Sequence, residues 1–165
     1  MLIDDVHNFI SAQVPISGIS ISGDGAITIC YSDGATNEQK QLGEKILLQV
    51  PLMLAKKEKI SQLNNDFETT IKQGWESGRG FKLGLTIEDT SLLLGLFVLA
   101  KEGAVLGLNP PPIIDTDGNP HNLTMAELTV LMLQYGQHRA QLAFIDANKR
   151  KAVENANSIE ELSQI

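Results

Sequence analysis

The chain has 165 residues, 42% of them hydrophobic, and a net charge of −7. That length and apolar content allow one compact domain or two small modules and argue against wholesale disorder. The acidic balance argues against a nucleic-acid-binding surface, which needs clustered Lys and Arg. The basic runs Lys56–Lys59 and Asn148–Lys151 lie in helical patterns beside acids and read as solvated helix faces.

Taken in chain order, "IDDVHNFISAQV" puts Val6, Phe9, Ile10 and Val14 at helical spacing behind early acids, which predicts a short amphipathic helix. Next, Ile19 and Ile21 alternate with serines, and Ile27, Ile29 and Tyr31 alternate with small residues. The two runs flank Gly23–Asp24–Gly25, so a β-hairpin with one apolar face is expected, with Cys30 on the small, polar face. Thr36 with Gln39 makes a capping box for a helix. Pro51 then opens another helix, with Met53, Ile60, Leu63, Phe67 and Thr70 at the spacing of a coiled-coil seam. The glycines of "GWESGRG" predict a module boundary after it.

The second module begins with a predicted short strand in "GFKLGLTI". The stretch "EDTSLLLGLFVLAKEGAVLG" is apolar nearly all round and is expected to be a buried helix. Its apolar run Leu92–Ala100 is far shorter than the ~20 residues of a membrane span. "PPII" and "NPHNL" bracket the turn "DTDG" as two strands of a short hairpin. Thr124 and Glu127 form a capping box for a long amphipathic helix to about Asn155. On that helix Leu128, Leu131, Tyr135, His138, Leu142 and Ile145 follow alternating steps of 3 and 4, a seam that calls for another helix, within the chain or in another copy. The seam is expected to fade at Lys149 and Ala152. Ser158 with Glu161 caps a last short helix. The expected fold class is helix-rich α+β. Residues 1–50 form a hairpin–helix attachment module, residues 51–77 a linking helix, and residues 78–165 a module with a buried helix, a short hairpin and a long amphipathic helix.

Few residues carry a chemical signature. Asp115, Asp117 and Asn119 alternate like the first ligands of a calcium loop, but Pro120 stands where that loop needs glycine and Ala126 where it needs a bidentate glutamate. A polar turn is the expected reading, with no metal. His7, His121 and His138 have no second ligand at helical spacing, and no nucleophile motif or phosphate-binding glycine loop occurs. Glu88 and Asp89 are accounted for by the dipole of the helix they precede. No catalytic, cofactor-binding or metal residue is therefore assigned, and no enzyme is expected. Cys30 is the single cysteine, which rules out an internal disulfide framework and a cysteine-rich zinc site. It is either a small buried residue or a thiol open to an intermolecular crosslink. "MLIDDVHNF" has acids where a signal peptide needs a basic region, so a soluble chain made in a cytoplasm is expected.

The second module, through "LGLTIEDTSLLLGLFVLA", the acidic turn, "LTMAELTVLMLQYGQHRAQLAFIDANKRKAV" and "NANSIEEL", resembles a domain of unknown function at the C-termini of many phage and prophage tail proteins. The first module, with "GAITICYSDGATNEQKQLGEKIL", is similar to a segment of short phage tail proteins. The resemblance implies a virion structural protein: a tail-fibre, fibre-attachment or peripheral baseplate subunit, made in the host cytoplasm, that acts by assembly and host attachment. It implies other fibre or baseplate proteins as partners, and self-association as a trimer rather than a dimer. The alternative is a tail-fibre assembly chaperone absent from the mature virion.

Overall fold

The computed structural model describes residues 2–23 and 25–165; Met1 and Asp24, the middle residue of the expected Gly23–Asp24–Gly25 turn, lie outside them. The fold is helix-rich α+β, with six helices and three two-stranded antiparallel sheets among the described residues. In chain order these are α1 (Leu2–Ser11), β1 (Ile16–Ile21), β2 (Ile27–Tyr31), α2 (Asn37–Leu47), α3 (Val50–Gln73), β3 (Trp75–Glu76), β4 (Lys82–Leu83), α4 (Ile87–Val105), β5 (Ile113–Ile114), β6 (Pro120–His121), α5 (Met125–Asn155) and α6 (Ile159–Ser163).

The chain forms two compact units, Met1–Glu58 with Ala156–Gln164, and Lys59–Asn155 with Ile165. The division therefore falls inside α3, not after residue 50 or residue 77. One helix serves two cores: Met53 and Leu54 pack on the first, Ile71 on the second. The glycine-rich stretch is a tight hairpin instead of a boundary. Gly74, Gly78 and Gly80 all take positive φ, and β3 pairs with β4 through Trp75↔Leu83 and Glu76↔Lys82. Ser77 closes this turn, its hydroxyl donating to Phe81 O at 2.7 Å. At Gly74 a side chain would meet the Leu83 carbonyl at 2.8 Å in a backbone conformation that already favours glycine.

In the first unit, α1 buries Val6 and Ile10 with Val14, Ile29, Ile46 and Val50. The hairpin has the expected parity: Ile19 pairs with Ile29 and Ile21 with Ile27, while Cys30, opposite Gly18, points outward and is exposed. Tyr31 reaches over α2 and donates to Lys40 O at 2.9 Å. Burial and the neighbouring Glu44 carboxylate push its phenol above the usual range. Thr36 and Gln39 form the capping box that starts α2.

In the second unit, α5 supplies Leu128, Leu131 and Tyr135 to a core closed by Phe81, Leu83, Leu85 and Ile113. The first half of the predicted seam is thus internal packing. Its second half departs from expectation: Leu142 and His138 are half-buried, and Ile145 is 42% exposed. The seam fades where expected, since Lys149 and Ala152 are exposed, and Val153, one position off the seam, is buried. A heptad count tracks a supercoiled partner, whereas a straight helix drifts ~20° per heptad away from such a seam.

The largest correction concerns α4. It packs against α5, but only Leu93 and Ala100 among its residues are buried, with Leu96 and Phe97 half-buried beside them. Those four positions make one helical stripe. The rest of the apolar circumference faces outward. No helix among the described residues is long and apolar enough to cross a membrane.

Candidate interaction surface

The start of α4 is held by short-range polar chemistry. Thr86 is its N-cap: its Oγ1 accepts from Asp89 N at 3.1 Å, and the Asp89 carboxylate accepts from Thr86 N at 3.0 Å. This capping box places the helix start at "TIED", one residue before the acids. Gly84 leaves room for it, because a Cβ there would collide with the Asp89 carboxylate.

Behind the cap, α5 reaches across. Tyr135 Oη donates to Gly84 O at 2.8 Å and lies 2.9 Å from Thr90 Oγ1. Arg139 Nη1 donates to Thr90 Oγ1 at 2.7 Å and to Thr86 O at 3.2 Å, and also bonds Leu85 O. Trp75 meets the Tyr135 ring edge-on at 5.8 Å and stacks on His138 at 5.9 Å. Among the described residues, no buried side-chain nitrogen or oxygen lacks a partner. The cluster is therefore satisfied, and its effect is to fix the orientation of α4. Arg139 is invisible to a seam count, although it follows Tyr135 by one helical turn, the spacing at which side chains share a face.

In front of the cap lies a groove of about 550 Å³ between α4 and the β5 segment. Leu92, Leu96 and Leu99 form one wall, and Pro111, Ile113 and Ile114 the other. Asp89 and Ser91 contribute its few polar atoms. Leu92 and Leu99 are 75% and 68% exposed. Around the helix from the groove, Ile87, Leu94, Val98 and Val105 form a second exposed apolar ridge, continued past the helix end by Leu106 and Leu108. From Thr90 to Ala100 the sequence carries no charged residue. Gly95 lies mid-helix with nothing within 4 Å of where its Cβ would be, so no contact inside this chain accounts for it.

The other sequence-selected residues do not line this groove. Asp115 is the acceptor of its own turn: it takes backbone N–H groups from Asp117 (2.9 Å) and Asn119 (2.8 Å), the Asn119 side chain, and His121 Nε2 at 2.7 Å. The His121 bond foremost, with those from Asn119 and Asp117, outweighs burial and lowers its pKa to about 2. His121 in turn stacks on Phe81 with ring centroids 4.0 Å apart. The acidic turn is thus a braced hairpin whose key carboxylate already has its donors. Thr124 and Glu127 cap α5 as expected, and Glu127 also pairs with Arg79 at 3.3 Å. At α6, Ser158 accepts from Glu161 N, but the Glu161 carboxylate bonds Asn157 N, one residue earlier than a capping box requires.

No protein-family model, curated protein or solved structure matches this chain.

Proposed function

We propose that the chain is a structural component of a bacteriophage tail, a tail-fibre, fibre-attachment or peripheral baseplate subunit, and that it acts by assembly instead of catalysis. The observation that carries this reading is the exposed apolar surface of α4, held in place by the Thr86, Tyr135 and Arg139 network. Large contiguous apolar patches on a folded chain mark interaction surfaces, because leaving them in water forgoes ~25 cal/mol per Å² of burial. The resemblance of both modules to phage tail proteins supplies the setting. In that setting the copies form a trimer, and other fibre or baseplate subunits are the further partners. Host attachment follows from that location.

The same groove also favours a second reading, a tail-fibre assembly chaperone that holds an apolar segment of its client. Mass spectrometry of purified virions separates the two. The structural reading expects this chain in the particle at fixed stoichiometry with the tail proteins. Its presence in infected cells but absence from virions would overturn that reading and favour the chaperone.

A further inference from the structure

We propose that the outer face of α4 is the contact between copies of this chain, with the ridge of one copy seated in the groove of the next. The inference rests on the assembly reading and names its first partner.

Area is the first argument. The six exposed aliphatic residues of α4 and the two leucines beyond it are 51–83% exposed. The six of them that form the ridge, Ile87, Leu94, Val98, Val105, Leu106 and Leu108, present on the order of 650 Å² of mainly apolar surface, against about 300–600 Å² for the largest patch of a typical monomer and about 800 Å² per partner in a standard interface. The patch is of the size that a stable protein–protein contact covers.

Shape is the second. Leu92 and Leu99 line the groove, while the exposed Leu94 and Val98 stand on another side of the same two turns of helix. A groove and a ridge on one chain suit an interface between identical copies. Because they are different patches, the contact is heterologous, the type that builds closed rings or open filaments. Gly95 lies between them with open space above it, where a neighbouring backbone can approach closely.

Charge is the third. Each copy carries −7, so copies repel at long range. The stretch from Thr90 to Ala100 brings no like charges into the contact. The carboxylate that lines the groove, Asp89, already accepts from Thr86 N and Thr86 Oγ1, so a neighbour that covers it leaves it hydrogen-bonded.

Sedimentation equilibrium of the full chain, wild type against Leu99→Asp (groove) and Leu94→Asp (ridge), tests the proposal. Both positions are solvent-exposed, so each variant folds, with an unchanged far-ultraviolet circular dichroism spectrum. The wild type is expected to be oligomeric at micromolar concentration and each variant at least tenfold weaker in association. An equimolar mixture of the two variants regains a two-chain species, because one intact ridge meets one intact groove. A monomeric wild type, or an oligomer whose mass neither variant changes, would overturn the inference. Either result leaves the virion test to judge the assembly reading separately.

Discussion

Leu131 and Ile145 occupy the same predicted seam, and the structure separates them. Leu131 is fully buried against the second core, whereas Ile145 is 42% exposed. Truncating a fully buried Leu to Ala costs about 2–5 kcal/mol, from lost transfer energy plus the cavity left behind. At Ile145 solvent already reaches much of the side chain and no closed cavity forms, so Ile145→Ala is expected to cost about 1 kcal/mol or less. Trp75 makes the measurement selective. It is the single tryptophan, it belongs to the second unit, and it packs edge-on against Tyr135, one turn from Leu131. Urea unfolding followed by its fluorescence therefore reports on this unit alone. The expected result is a much lower midpoint for Leu131→Ala and a nearly unchanged one for Ile145→Ala, with equal slopes. Equal losses at the two positions would refute the division of the seam into a buried half and an exposed half.

Gly84→Ala should destabilise the same unit by about 1–3 kcal/mol, since the added methyl displaces the Asp89 carboxylate from its cap on α4; the same urea titration checks it. Asp115 has a folded pKa depressed to about 2, so its contribution to stability is fully present above its unfolded pKa of about 3.9 and is lost as pH falls through about 2. Carboxyl carbon shifts followed by nuclear magnetic resonance should give a midpoint near pH 2, and a midpoint near 4 would contradict the bracing of this turn. Cys30 is exposed on the outer face of the first hairpin, so a disulfide reagent should label it in the native chain at a rate close to that in denaturant. Strong protection of the monomer would place the thiol elsewhere.

Features that depend on a few neighbouring residues were legible in the sequence. The capping boxes at Thr36 and Thr124 were readable because both partners lie three residues apart. So was the outward parity of Cys30, because strand side chains alternate whatever they pack against. The core half of the last long helix, Leu128 to Tyr135, was readable because it is periodic and faces the protein interior. Tertiary structure decided the rest. The glycines at 74, 78 and 80 read as a module boundary, and the pairing of Trp75 with Leu83 made them a hairpin instead. Arg139 found its carbonyls on a segment more than fifty residues away. Most consequential is α4: apolar on every side, it has no pattern that marks an inner face, so its sequence specifies burial without saying how much of the covering this chain provides. The fold covers one stripe, Leu93 to Ala100, and leaves the rest of the apolar circumference in contact with solvent. Sequence alone determined that this helix seeks apolar neighbours; which of its sides remains open followed only from where α5 and the β5 segment came to lie.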